Sequence, residues 1–249
     1  MTVNGLMQDM IDIPKNWREL LKEFQTPSVA KSMWQLGNTL IPYMTLWVLM
    51  YLSLSYSFWL TLLLAIPTAG FMVRIFIIAH DCGHGSFLKT SKMNAFIGSI
   101  TSILCCSPYY YWKHDHAIHH SNSGNLDKRG NGDIWTMTVQ EYLAAPKSTR
   151  VLYRFYRNPF VMFGIGALFV FVVQYRIPKS YMTAKDKKSV WRTNAAIALL
   201  MVVMYFTIGL KAFFLVQLPI WTIGATAGVW LFYVQHQFEG VYWGRNEVW

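Results

Sequence analysis

Acidic side chains are scarce in this sequence. It holds 12 Asp and Glu against 22 Lys and Arg, and charged residues of both signs make up only 14% of the chain. A soluble domain carries about 25%. A chain with so little charge and 54% hydrophobic residues lacks the polar material to clothe a water-facing surface. Its apolar residues fall in blocks, which points to an all-α integral membrane protein. The net charge of +10 is not read as a nucleic-acid footprint. The basic residues lie between apolar blocks, as cytoplasmic loops do, so no nucleic-acid partner is expected. Cysteine is nearly missing too. Cys82, Cys105 and Cys106 have no disulfide-like spacing, and the adjacent pair is badly placed to bridge, so reduced thiols are expected. The N-terminus has no basic-then-apolar pattern of a cleavable signal peptide. There is no internal repeat and no low-complexity tract.

Four uncharged or nearly uncharged runs are long enough to cross a bilayer: 36–54, 58–78, 193–210 and 212–234. A run of 19 residues such as 36–54 covers about 28 Å at 1.5 Å per residue, roughly one hydrocarbon core. Arg74, near the end of the second run, is expected to snorkel to the interface. Two further runs, 93–106 and 160–173, are shorter and are read as interfacial or re-entrant. If 93–106 crossed, the histidines on either side of it would stand on opposite faces. If 160–173 crossed, the basic loop that follows (Arg176 to Arg192) would face outward, against the positive-inside rule. That segment is instead expected to be buried against the bundle. The expected architecture is two transmembrane helical hairpins carrying a cytoplasmic, histidine-rich helical cap. It forms one domain over 1–249, with 1–35 lying along the membrane surface.

The chain has seven histidines, and six of them, His80, His84, His114, His116, His119 and His120, lie close together. The seventh, His236, is expected at the same face, delivered by the second hairpin. His80 and His84 are four apart and share a helical face; His116, His119 and His120 at i, i+3 and i+4 do likewise. Neutral imidazole is a common ligand for iron, zinc, copper and nickel. His114 stands two residues from His116 and points off that face, which suits a supporting or solvated role rather than ligation. Cys82 faces away from its histidine neighbours and is assigned to packing. A zinc protease needs HExxH, and Asp-Cys-Gly separates His80 from His84. Five or more imidazoles exceed a closed four-ligand zinc site. They suit two metal ions, and two oxygen-activating irons fit best by count.

These residues also carry a resemblance. HDCGH and HAIHH, with RIFIIAHDCGH, NLDKRGNGDIW, YRNPF and GVWLFYVQHQFE around them, resemble the membrane fatty acid desaturases, closest to bacterial acyl-lipid desaturases including the delta-5 phospholipid type. The likeness runs from about residue 30 onward. It implies a non-haem di-iron centre that uses O2 and two electrons to remove two hydrogens from a membrane lipid acyl chain. The electrons would come from a ferredoxin, flavodoxin or cytochrome b5, at the inner (plasma) membrane with the metal on the cytoplasmic face. By position, His80 and His84 match the first family box. His116, His119 and His120 match the second, and His236 a further histidine. The family's third box, also HxxHH, does not occur before Trp249, so the chain is expected to be C-terminally incomplete. A related hydroxylase and a catalytically incomplete membrane fragment are the alternatives. Hydrogen abstraction from a saturated carbon is beyond a side-chain acid or base, so the protein's part is orientation and exclusion of water. Tyr111, Trp112 and Trp135 are candidate walls of an acyl channel, with interfacial aromatics as the competing reading. Lys128 and Arg129 are candidates either for ion pairs with Asp127 and Asp133 or for contact with an acidic electron donor.

Overall fold

The computed structural model describes residues 17–22, 26–130, 132–247 and 249. Most of the expected surface segment 1–35 therefore lies outside the described residues, apart from a helical turn at Trp17–Leu20 and the start of the first long helix. Among the described residues the chain is helical with no strand. Its main elements are α1 (Val29–Ser53), α2 (Phe58–His84), α3 (Ser91–Leu104), α4 (Tyr109–Asn122), α5 (Val139–Ala144), α6 (Lys147–Tyr156), a π-helical turn at Phe160–Ile165 running into α7 (Gly166–Val172), α8 (Ala184–Thr207) and α9 (Leu210–His236).

Three helices, α2, α8 and α9, are long and apolar enough to cross a membrane. Counting α6 with Phe160–Arg176, which are bent by 62° to each other, as one broken crossing gives four. The helix covering 36–54, α1, is 25 residues long but is not among them, because Asn38, Thr39, Pro42 and Thr45 dilute its apolar run. The segment 160–173 has a divided character. Met162 and Ala167 are buried against the bundle, while Phe160 and Ile165 are exposed. It is thus only half covered, not enclosed.

The core joins α1, α2 and α9. Met50, Ala65, Ala69, Met72, Val216 and Ile220 meet there. Gln217 of α9 is buried and receives hydrogen bonds from Trp47 Nε1 (2.9 Å) and Tyr43 Oη (3.4 Å) of α1. A buried amide needs such partners, all the more where water is absent. Ser53 and Thr61 share a 2.7 Å hydrogen bond across the α1–α2 turn. The outward faces carry large apolar side chains, among them Trp59, Leu63 and Phe206, each more than 60% exposed. Exposed apolar surface of that extent is the surface of a lipid-solvated protein. Arg74 is exposed and donates to Asn38 Oδ1 at 2.8 Å, in keeping with a positioned, non-catalytic role.

Two features bring the histidines into one place. Helix α2 stops directly after His84, at Gly85 with φ +75°, so both α2 histidines stand on its final turns. Helix α4 is held against α8 by Tyr110 N donating to Ser189 Oγ (3.0 Å) and by the His114–Asp186 pair. The segment after α9 then folds back onto the loop that follows α4. Leu126 N donates to Gly244 O (2.8 Å) and Gly244 N to Gly124 O (2.9 Å), forming an isolated parallel bridge between Asn125 and Gly244. Arg245 and the backbone N–H of Asn246 both reach the Asp127 carboxylate, at 2.6 and 3.0 Å. This clasp sets the end of α9 beside α4.

Candidate metal centre

Six of the seven histidines converge, in two groups. His80, His84, His116 and His120 form the larger, with one ring nitrogen of each within 4.8 Å of the others. His84 Nε2 is 3.2 Å from both His80 Nε2 and His116 Nε2, and His120 Nε2 is 3.0 Å from His116 Nε2. The smaller group is His119 with His236, whose Nε2 atoms are 2.9 Å apart. The α4 histidines therefore divide. His116 and His120, at i and i+4, meet α2, and His119 turns to α9.

The partners of the far ring nitrogens decide what these contacts are. His80 Nδ1 donates to Asp81 Oδ1 (3.1 Å), His119 Nδ1 to Asp133 Oδ1 (2.6 Å) and His236 Nδ1 to the Phe232 carbonyl (2.7 Å). A ring whose Nδ1 carries the proton offers a lone pair at Nε2. In the smaller group, then, two lone pairs face each other at 2.9 Å. Such an arrangement is satisfied by a cation between them. Two nitrogens bound to one metal at about 2.1 Å stand about 3 Å apart at a right angle, which matches the 2.9 to 3.2 Å between neighbouring nitrogens here. Outer acceptors on metal-bound imidazoles are the rule in such sites. The donor set thus fits a nitrogen-ligated transition metal.

Burial reinforces neutrality. Desolvation, followed by the neighbouring imidazoles of His80, His120, His84 and His119, pushes His116 down to about 3. Desolvation and His119 lower His120 as well. Both shifts favour the neutral ring, the form that ligates metal.

Trp112 lies flat on His116, with centroids 4.5 Å apart and 19° between planes, and is roughly perpendicular to Phe76 at 5.4 Å. Both Trp112 and His116 line a half-open cleft of about 400 Å³, with Gly83, His84, Ala117 and His120. The other two aromatic candidates stand elsewhere. Tyr111 is buried with Met182 and Val190, its hydroxyl 3.4 Å from that of Tyr181. Trp135 packs edge-on against Tyr153. His114 is half-exposed and pairs with Asp186 at 2.9 Å, where it holds α4 to α8 and supports no other imidazole. Cys82 is fully buried, as expected for packing. Arg129 pairs with Glu141 at 2.5 Å, not with Asp127 or Asp133, which leaves it engaged within the loop. Lys128 is exposed, its amine over the Trp249 ring at 5.8 Å.

Asp133 as the partner of His119 is absent from the sequence reading, which pairs it with Lys128 or Arg129. The signal available is its place in the Gly-rich stretch GNGD, shortly after the second histidine group.

A helical protein with candidate membrane spans and a cluster of histidines able to hold metal, drawn from α2, α4 and α9, fits the class of membrane proteins with a histidine-ligated metal centre. Comparison with known families makes that specific: residues 57–249 match the fatty acid desaturase family, and the chain belongs to it. It is 48% identical over 226 residues to a fatty acid desaturase of Bacillus subtilis (strain 168), covering 91% of this chain and 64% of that protein. It is 31% identical over 162 residues to the chloroplastic sn-2 acyl-lipid omega-3 desaturase (ferredoxin) of Arabidopsis thaliana, covering 59% of this chain and 34% of that protein. It is 37% identical over 79 residues to the endoplasmic reticulum acyl-lipid omega-3 desaturase (cytochrome b5) of the same plant, covering 31% and 20%. The chain thus spans just under two thirds of the length of its Bacillus relative.

Proposed function

We propose that this chain carries the metal-binding membrane core of an O2-dependent di-iron acyl-lipid desaturase. The observation that carries the reading is the convergence of six imidazoles on Nε2, two of them with lone pairs opposed at 2.9 Å. His80, His84, His116 and His120 would hold one iron, and His119 and His236 would contribute to a second. Bound iron would supply the oxygen chemistry that side chains lack. The chain's own residues bind, orient and exclude water. Trp112 fixes the plane of His116, and the cleft beside it, walled by Trp112 and Ala117, is the place for the reacting stretch of an acyl chain.

In the proposed topology α1 pairs with α2 and α8 with α9. The Ile208–Gly209 link between the latter two is too short for anything but a hairpin. The histidine-bearing ends then lie at the cytoplasmic face of the plasma membrane, where Lys and Arg concentrate. Electrons would come from a small carrier of the ferredoxin, flavodoxin or cytochrome b5 kind. Relatives named for ferredoxin and for cytochrome b5 support that class. The exposed Lys128 is a candidate contact for such an acidic partner.

The test is iron analysis of the purified chain, with lipid profiling of a host that makes no unsaturated chains of its own. Bound iron in this chain, new double bonds from a chain extended past Trp249 through a third HxxHH, and loss of both in His84→Ala are expected. An iron-free chain, or an alcohol in place of the double bond, would overturn the assignment.

A further inference from the structure

The loop between α4 and α5 contains one acidic side chain aimed inward. Asp133 has 8% of its side chain exposed and His119 only 3%, and their Oδ1 and Nδ1 atoms are 2.6 Å apart. The second carboxylate oxygen is also occupied, since Gly130 N donates to Oδ2 at 3.2 Å. A carboxylate held at one oxygen by its own loop and at the other by the imidazole is a fixed object, and it fixes the ring in turn. By accepting from Nδ1 it keeps the proton there and leaves Nε2 free to face His236. The corresponding acceptor on His236 is a main-chain carbonyl of its own helix, Phe232 O at 2.7 Å, which no side-chain substitution removes. Of the two imidazoles, only His119 takes its ring orientation and tautomer from a side chain.

We propose that Asp133 is a positioning residue for the second metal, orienting His119 so that the His119–His236 pair binds it. The larger, four-imidazole group does not depend on Asp133. This rests on the metal reading above and extends it by dividing the centre into two parts with separate supports.

The experiment is a cobalt(II) titration of the full chain in lipid nanodiscs. Ligand-field absorption and chelator competition report stoichiometry and the affinity of each site. D133A is expected to weaken one cobalt by about 10- to 100-fold, the usual cost of losing an outer-shell partner, with the other cobalt unchanged. D133N, whose amide oxygen still accepts from Nδ1, is expected to recover most of that loss. E141Q frees the same loop at its Arg129 anchor and is expected to leave both sites alone. Where D133A does not fold, D133S replaces it, with a polar side chain too short to reach the ring. Unchanged cobalt affinity in D133A overturns the proposal, as does equal weakening of both sites or an E141Q variant that behaves like D133A. A wild-type chain that binds no cobalt overturns the metal reading and this proposal together. A wild type that binds cobalt normally beside an unaffected D133A overturns this proposal alone.

Discussion

At the scale of single residues, the helix that carries the second histidine group is set by one close approach. Tyr109, at its first turn, donates its hydroxyl to Cys82 O at 2.9 Å, and its ring lies over Gly98. A Cβ at Gly98 would stand 2.9 Å from Cys82 Cβ and closer still to the Tyr109 ring. Gly98→Ala is therefore expected to push Tyr109 outward and break that hydrogen bond, destabilising the fold by about 1–3 kcal/mol, the range for overpacking a filled core. Gly70→Ala on the adjoining helix meets nothing within 4 Å and is expected to be tolerated. Thermal unfolding of both variants in the same detergent checks the contrast. The histidines were the most legible residues of all, since i and i+4 on a helix fix a shared face whatever surrounds it. That His116 is stacked by Trp112 follows the same spacing. That His119 leaves its neighbours for His236 does not, because a partner 117 positions away is chosen by how α9 docks.

At the scale of elements, the cap between α4 and α6 is organised by one carboxylate. Glu141 closes a capping box with Thr138 and accepts from Arg129 at 2.5 Å. The Arg129 guanidinium first, then the Thr138 amide, hold its carboxyl down to about 2, from an ordinary 4.5. A carboxyl depressed by folding stabilises above its unfolded value and loses that contribution as pH falls through the folded one. The loop is therefore expected to be fully anchored above about pH 4.5 and to loosen as pH falls toward 2. Limited proteolysis at acid pH should show cleavage between α4 and α6 rising across that window. E141Q should be cleaved readily at every pH, with no such rise. The sequence suggests ion pairs of Lys128 and Arg129 with Asp127 and Asp133, whereas Arg129 meets Glu141, Asp127 meets Arg245 and Asp133 meets His119. Ion pairs in a loop depend on backbone turns such as Gly130 and Gly132, both at positive φ, which periodicity does not report. The same limit applies to Trp135, whose contacts with Tyr153 and Tyr156 of α6 periodicity does not report.

For the molecule as a whole, long apolar helices were readable because lipid demands them, and α2, α8 and α9 are where the hydropathy pattern puts them. The broken element at α6 and 160–176 was not, since a 62° bend makes one continuous pattern into two directions. The final segment is the other feature no pattern announced. Its clasp on Asp127 is made of exposed groups, yet it joins the two ends of the histidine-bearing half. Asp127→Ala is expected to free residues 241–249. Faster hydrogen exchange at both 123–128 and 241–249, with the long helices unchanged, is the readout. Weaker metal binding at the His119–His236 pair, and not at the four-imidazole group, should accompany it.

The division of the imidazoles between helices also has a consequence in time. All four members of the larger group lie at or before residue 120, so every imidazole of that group has been synthesised before α8 and α9 begin. The pair waits for His236. If the larger group takes a metal as proposed, a nascent chain can do so before His236 has been made, and the ion would then tie α2 to α4 before α9 has a surface on which to dock.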